Sequence, residues 1–141
     1  MILALFTATT VSNVQLPETS YGYIASDDTA IVRETAPFKA TEAIVRSYFR
    51  DIPVMIEIAR CESTFRHTLA DGSVLQGRVD PDDTGVMQIN KFFHEKTALS
   101  MQLDVDDIYH NMAYARYLYE TQGTQPWSAS MPCWGNVLAM N

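Results

Sequence analysis

The sequence predicts one small, mainly α-helical domain with a loop or short β-hairpin after its second helix. Its 141 residues suffice for one hydrophobic core, and 47% hydrophobic against 19% charged residues is typical of a folded chain. Apolar residues recur at helical spacing in three stretches, which begin near residues 41, 52 and 108. A polar, turn-rich stretch separates the second of these from the third.

The first 38 residues predict a flexible leader in front of the domain. Residues 7–38 mix Thr, Ser, Asp and Glu with Pro17 and Pro37 and show no sustained helical or strand period. Residues 1–6 carry a short apolar run without a preceding Lys or Arg, which fits either a weak or truncated export signal or an ordinary chain terminus. We therefore expect the domain at residues 39–134 and a C-terminal tail at 135–141.

Two helices are predicted at the start of the domain. Thr41 can cap the first helix, which runs to about Arg50. Asp51 and Pro53 are typical of the N-cap region and first turn of a second helix, since proline lacks only an N–H that the first turn leaves unpaired. The apolar stripe of this second helix comprises Ile52, Met55, Ile56 and Ala59. The stripe leads to Glu62.

The second half of the domain predicts a hairpin or loop and then two more helices. Residues 65–84 are rich in turn residues and contain short apolar–polar alternations, which fits a loop or a small β-hairpin. Asn90 can cap a third helix. Asp104 or Asp106 can cap the longest helix, which Gly123 ends. The apolar stripe of that helix comprises Ile108, Met112, Ala115 and Tyr119.

Charge and cysteine content narrow the function classes. The net charge of -7 and the absence of a basic run argue against nucleic acid and against anionic membrane surfaces as partners. The sequence has no run of about 20 apolar residues that would cross a bilayer. The acidic run from Asp80 begins like a calcium-binding loop, but its twelfth position is Lys91 instead of a bidentate Glu. We expect neither a metal nor another cofactor.

Glu62 is the strongest candidate for a catalytic group. Three residues after Ala59, its carboxyl falls on or beside the buried stripe, where loss of water disfavours the charged form and raises the pKa. A carboxyl that keeps its proton near neutral pH can act as a general acid toward a glycosidic or similar leaving oxygen. From periodicity alone, a Glu that faces water at a helix end is the simpler interpretation.

Three segments carry a resemblance to a known family. They are Cys-Glu-Ser-Thr-Phe at 61–65, Gly-Val-Met-Gln-Ile-Asn at 85–90 and Ala-Tyr-Ala-Arg-Tyr-Leu at 113–118. In this order and spacing they resemble the lytic transglycosylase family of the lysozyme-like superfamily, over residues 52–134. The resemblance implies a small α+β fold of the lysozyme-like kind.

The resemblance also implies an activity and a partner. Glu62 would be the sole acid and base in cleavage of the β-1,4 bond between N-acetylmuramic acid and N-acetylglucosamine in peptidoglycan. It would protonate the leaving oxygen and then activate the muramoyl C6 hydroxyl, while the N-acetyl group of the substrate stabilises the anomeric centre. The product would be a 1,6-anhydro sugar. The implied partner is the glycan strand, and we expect a monomer that works outside the cytoplasm.

These three segments, together with residues 127–134, contribute candidate substrate-binding residues. These are Ser63, Gly85, Met87, Gln88, Tyr117, Trp127 and Trp134. Ser63 would order the helix end, Gly85 would let the backbone approach the glycan, and Gln88 would bind sugar hydroxyls. For Met87 and the two tryptophans, burial in the core fits the sequence equally well. The Ala-Tyr-Asn-Ala-Gly segment usual in the family is absent, and residues 127–134 stand in its place.

Two alternatives remain open, together with one cross-link. Asp80, Asp82 and Asp83 lie in a stretch that is similar to the one in which goose-type lysozymes carry water-positioning aspartates. A hydrolytic lysozyme is therefore the second hypothesis. A solvated acidic turn is the simpler interpretation of these three residues. A non-catalytic glycan-binding module is the third. A disulfide between Cys61 and Cys133 would tie the end of the Glu62 helix to the tryptophan segment.

Overall fold

The computed structural model describes residues 29–138, with side chains described for residues 39–136, and this part of the chain is mainly helical. Its elements are α1 (Thr29–Tyr48), α2 (Pro53–Ser63), β1 (Asp83–Thr84), β2 (Ile89–Asn90), α3 (Lys91–Ser100), α4 (Ile108–Gln122), a 3₁₀ helix (Gln125–Ser130) and α5 (Met131–Leu138). The prediction of a mainly α domain is confirmed. Within residues 29–138, none of the helices is both long enough and apolar enough to cross a membrane.

Both domain boundaries expected from the sequence fall inside helices. Helix α1 begins at Thr29, before the expected boundary at residue 38, and α5 continues to Leu138, beyond the expected boundary at residue 134. Proline has no N–H to donate to the preceding turn, so Pro37 made a helix around residue 37 an unfavourable prediction from sequence. Helix α1 nevertheless runs through this proline. The expected export segment lies outside the described residues.

Helix α2 begins at Pro53 as predicted, but its N-cap residue is Ile52 and no side chain caps it. The carboxylate of Asp51, expected in the N-cap region, instead accepts two hydrogen bonds from the Arg116 guanidinium of α4, at 2.9 Å each. These bonds hold the pKa of Asp51 at about 2. The sequence around Asp51 does not indicate this partner, because Arg116 lies 65 residues further along the chain.

The core lies where α1, α2, α4 and the β1–β2 turn meet. Helix α2 contributes the buried side chains of Met55, Ile58 and Ala59, while Ile52 and Ile56 of the predicted stripe are half-buried at its margin. The rest of the core includes Val45, Phe49, Val86, Met87, Met112, Tyr114, Ala115 and Leu118. Because α2 ends against this core, its last turn is partly withdrawn from water.

Residues 65–82 form a loop, which is one of the two predicted alternatives, and a short hairpin follows it. Strands β1 and β2 pair antiparallel, with Asp83 opposite Asn90 and Thr84 opposite Ile89, and residues 85–88 form the turn between them. In the stretch 65–84, where a loop or hairpin was expected, the pairing consists mainly of the isolated bridges Thr68–Val74 and Gln76–Thr84. The carboxylates of 80–83 are thereby placed beside the Gly85–Gln88 turn.

The later helix ends agree with the sequence at two positions and differ at one. The side chain of Asn90 caps α3 by accepting from the N–H of Phe93, and Gly123 ends α4, as predicted. The N-cap of α4 is Asp107, whose carboxylate accepts from two N–H groups of the first turn, and the prediction of Asp104 or Asp106 was wrong. Several acids precede this helix, so composition alone does not select among them.

A disulfide joins Cys61 of α2 to Cys133 of α5, as the sequence predicted, with Cα atoms 6.0 Å apart. Cys61 directly precedes Glu62, and Cys133 lies three residues after Ser130. The bond therefore holds the end of α2 against the 3₁₀ helix and α5.

Breaking this disulfide should lower the free energy of unfolding by about 4 kcal/mol, because it closes a loop with a sequence separation of 72 residues. Urea denaturation of a Cys61→Ser/Cys133→Ser double variant would measure the loss. The wild type under reducing conditions should show the same midpoint as the double variant. An unchanged midpoint in both would contradict a stabilising role for the bond.

Candidate active site around Glu62

Glu62 lies in the last turn of α2, half-buried, with its carboxyl against the end of the 3₁₀ helix. The hydroxyl of Ser130 donates to its Oε1 atom at 2.6 Å. Burial raises the pKa of Glu62, the hydrogen bond from Ser130 opposes that rise, and the charge of Asp83 adds to it. The direction of the shift expected from the sequence is confirmed.

The backbone directly after Glu62 is in an unusual conformation. Helix α2 ends at Ser63, and the next two residues, Thr64 and Phe65, have φ angles of 52° and 59°. Non-glycine residues in this left-handed region carry a small energetic cost, and such residues cluster at functional sites. Ser63 itself is only 2% exposed and donates to the Ala59 carbonyl. It orders the helix end, as expected, but its side chain is not open to a ligand.

The Gly85–Gln88 turn is held from behind, and this requires glycine at position 85. Gly85 has a φ of 71°. A Cβ atom there would lie 2.6 Å from Nδ2 of Asn111 and 2.8 Å from Cε1 of His67. Gln88 also has a positive φ, 49°, and its side-chain amide donates back to the Gly85 carbonyl. The turn is thus a tight, internally bonded unit.

Asn111 is the main support of this turn. Its Oδ1 accepts from the N–H of Met87 at 3.0 Å, and its Nδ2 donates to the carbonyls of Thr84 and Val105. A buried amide with three partners fixes the position of the backbone around it. The sequence analysis missed this residue. Its signal was a polar side chain beside Met112, next to the apolar stripe of α4.

His67 supports the same turn from another side. Its Nδ1 accepts from the N–H of Val86 at 3.1 Å, so in the neutral ring Nε2 carries the proton and donates to the Asp106 carbonyl at 2.8 Å. Both ring nitrogens are therefore used in binding backbone groups. No local sequence pattern indicates this role, because the partners lie 19 and 39 residues away.

Met87 and Gln88 were both predicted to line the groove, but only Gln88 lies at the surface. Met87 is fully buried, so the expectation that its side chain contacts substrate was wrong; its backbone carbonyl accepts from the indole N–H of Trp127 instead. Gln88 is half-buried and lines a cavity of about 80 Å³. The apolar side chain of Met87 is buried and the amide of Gln88 remains partly exposed, because burying a polar amide costs more than burying a thioether side chain.

The two tryptophans belong to the core and do not present N–H groups to a ligand. Trp127 and Trp134 are 4% and 6% exposed. The indole N–H of Trp134 donates to the Trp127 carbonyl at 3.1 Å, and that of Trp127 donates to Met87. Of the two interpretations that the sequence left open for these tryptophans, the structure supports burial in the core. Trp127 still forms part of the wall of the 80 Å³ cavity.

Tyr117 is half-buried and packs against the core next to Tyr114, with ring centroids 5.6 Å apart. It is not among the residues that line the small cavity. That cavity is lined by Asp83, Gln88, Ile89, Asn90, His94, Leu118, Pro126 and Trp127. Asn90 and His94 were not predicted as wall residues, and they reach the cavity because α3 begins directly after β2.

The acidic turn contains one carboxylate that is not simply solvated. The amide nitrogen of Asn90 donates to Asp80 and Asp83, at 3.0 Å each. Asp83 is half-buried, and burial, together with the charges of Asp80 and Asp82, raises its pKa, against the effect of the Asn90 bond. Asp82 is exposed. Asp83 is also the member of this group whose charge contributes to the raised pKa of Glu62.

A larger open cleft of about 330 Å³ lies between α1 and α4, and its described lining has no carboxylate. Among residues described by the structure, three or more His, Cys, Asp or Glu side chains nowhere gather as metal ligands would. Comparison of the chain with protein-family models, curated proteins and solved structures finds no match. At Glu62, burial favours the protonated carboxyl, whereas the hydroxyl bonded to Oε1 favours the charged one, and the net effect is a raised pKa.

Gly85→Ala should lower the free energy of unfolding by about 3 kcal/mol, because the new methyl group meets an amide locked by two hydrogen bonds and the positive φ adds strain. Gly72→Ala is the matched control. Gly72 also has a positive φ, 86°, but nothing lies within 4 Å of the added Cβ, so only about 1 kcal/mol should be lost. Equal losses in urea denaturation would contradict the close packing behind the turn.

Glu62→Gln should stabilise the protein at high pH and have little effect at low pH. Burial raises the pKa of Glu62 above its unfolded value near 4.5, so the contribution of its protonated form is complete below that value and is lost as the pH rises through the folded pKa. Glutamine keeps the neutral form at every pH.

Calorimetry should therefore give a Tm about 2–5 °C above that of the wild type at pH 8 and a difference near zero at pH 4. The control is Glu57→Gln on the same helix, where the carboxylate is paired with Arg60 and should give no such gain. A lower Tm for Glu62→Gln at pH 8 would show that ionised Glu62 stabilises the fold.

Proposed function

We propose that the protein is a peptidoglycan lytic transglycosylase with a lysozyme-like fold, and that Glu62 is its acid and base. The observation that carries this proposal is the half-buried carboxyl at the end of α2, with its raised pKa and its hydrogen bond from Ser130. The Gly85–Gln88 turn is linked to the same place through Trp127, which lies three residues before Ser130 and donates to the Met87 carbonyl. The order of the three motifs supports the choice of substrate.

The reaction needs one carboxyl group with a proton to give. Glu62 donates its proton to the oxygen between the two sugars as the bond from that oxygen to the muramoyl C1 breaks. The substrate's own N-acetyl group stabilises the positive charge that develops at C1. Glu62, now ionised, takes the proton of the muramoyl C6 hydroxyl while the oxygen of that hydroxyl bonds to C1. The products are a 1,6-anhydro end and a free 4-hydroxyl, and Glu62 regains its proton.

The disulfide supports a place of action outside the cytoplasm. Disulfides form and persist in oxidising compartments and are rare where glutathione keeps thiols reduced. The Cys61–Cys133 bond closes directly beside Glu62. An enzyme of the cell wall, acting as a monomer on glycan strands, fits this compartment.

Hydrolysis is the second candidate, and one observation favours it. The charge of Asp83 raises the pKa of Glu62, so a second carboxyl group acts on the candidate acid. Inverting glycosidases use a second carboxylate to activate water. Asp83, held by Asn90, could position such a water, whereas exposed Asp82 is less suited to this role.

Digestion of purified peptidoglycan sacculi, followed by mass spectrometry of the released muropeptides, tests the proposal. We expect 1,6-anhydro ends from the wild type and a loss of at least about 100-fold in release by Glu62→Gln. Glu57→Gln, the same change on the same helix, should keep full activity.

The same experiment separates the alternatives. Reducing ends that disappear in Asp83→Asn would establish the hydrolase, whereas anhydro ends unaffected by that change support the transglycosylase. Binding of sacculi without any release would indicate a glycan-binding module. Full release by Glu62→Gln would overturn the assignment of the catalytic group.

A further inference from the structure

We propose that Ser130 is a positioning residue for Glu62, and that its hydroxyl changes acceptor, between Glu62 and the Trp127 carbonyl, each time Glu62 gains or loses its proton. The inference rests on the proposed function of Glu62 as acid and base. It adds a residue to that site which neither the motifs nor the resemblance indicated.

The geometry around Ser130 offers one proton to two acceptors. Its Oγ lies 2.6 Å from Oε1 of Glu62 and 3.1 Å from the backbone oxygen of Trp127. A serine hydroxyl has a single hydrogen, so it can donate fully to only one of them at a time. The shorter contact is typical of a hydroxyl that donates to an ionised carboxylate. With Glu62 ionised, the hydroxyl therefore points to Glu62.

The second acceptor keeps a donor when Ser130 turns away from it. The Trp127 carbonyl also accepts from the indole N–H of Trp134 at 3.1 Å. When Ser130 turns to Glu62, this carbonyl keeps one hydrogen bond and is not left unpaired in the interior. When Glu62 is neutral, the hydroxyl can turn back to the carbonyl as a second donor. Both orientations are thus satisfied, and only a hydroxyl rotation separates them.

The arrangement also distinguishes the two oxygens of Glu62. Oε1 is bonded to Ser130, while Oε2 has no hydrogen-bond donor among the residues that the structure describes. Oε2 can therefore carry the proton that a leaving oxygen takes, whichever way the Ser130 hydroxyl points. Ser130 then stabilises the anion left behind, because its donation strengthens once the carboxyl is charged.

The partners are held together by more than their hydrogen bond. Ser130 ends the 3₁₀ helix, and Cys133, three residues further on, is bonded to Cys61 next to Glu62. The buried indoles of Trp127 and Trp134 anchor the same segment. Since the backbone on both sides is fixed, the hydroxyl can follow the proton without movement of either helix.

Titration of Glu62 by ¹³C NMR of its side-chain carboxyl tests the inference directly. Ser130→Ala should raise the pKa of Glu62 by about one unit, because a donor to the charged form is lost. Ser128→Ala, the same change at an exposed position of the same 3₁₀ helix, should leave that pKa unchanged. Ser130→Thr keeps the hydroxyl and should restore the wild-type value.

The pH profile of kcat/KM gives the second readout. The limb on which activity falls with rising pH reports loss of the proton from Glu62, so it should move upward with the pKa in Ser130→Ala and return in Ser130→Thr. In the wild-type protein, the Cβ resonance of Ser130 should titrate with the same midpoint as the Glu62 carboxyl, while that of Ser128 should not. This measurement requires no variant to fold.

A Glu62 pKa unchanged by Ser130→Ala, or a flat Ser130 Cβ resonance, would overturn the inference while leaving the transglycosylase proposal intact. The reverse result is equally clear. If the titrations behave as expected but sacculi are not cut, the coupling between the two residues stands and the proposed function fails, and with it the role of Ser130 in catalysis.

Discussion

The covalent link between the end of α2 and α5 is the constraint on which the candidate site depends. Cys61 and Cys133 bring together two segments that are distant in sequence, and they do so directly beside Glu62. Ser130 and the Trp127 ring lie in the segment that the link holds in place. The hydrogen bond to Glu62 and the partial burial of its carboxyl both follow from this closure, and the burial is what raises the pKa.

A second set of interactions fixes the Gly85–Gln88 turn, which the indole N–H of Trp127 joins to the same segment. Asn111 and His67 together bind five backbone groups of residues 84–87 and 105–106, so the Gly85–Gln88 turn is held by buried polar side chains from elsewhere in the chain. Hydrogen bonds in a buried network of this kind are costly to leave unmade, which makes the turn rigid. Gly85 fits because any larger residue would enter the space of that network.

The sequence was most successful where a residue's role depends on its nearest neighbours. Pro53, Asn90 and Gly123 mark helix ends through the conformation or bonding of their own backbone, and the structure agrees at all three. It failed where a distant partner competes for the residue. Asp51 binds Arg116 instead of capping the start of α2. The indole N–H groups of Trp127 and Trp134 donate to backbone carbonyls in the interior. Met87, a groove residue by motif, is core because the turn folds it inward.

The amino-acid pattern by itself determined the mainly helical class and the placing of Glu62 at the end of an apolar helix face, because these follow from periodicity and spacing, and with two cysteines it offered a single possible pairing. Only the tertiary structure decided which groups surround that carboxyl. Ser130 and Asp83 lie 68 and 21 residues from Glu62 along the chain. Their effect on the pKa of Glu62 depends on distances of a few ångströms, which the spacing of residues in the sequence does not give. The chemistry of the site is therefore a property of the fold.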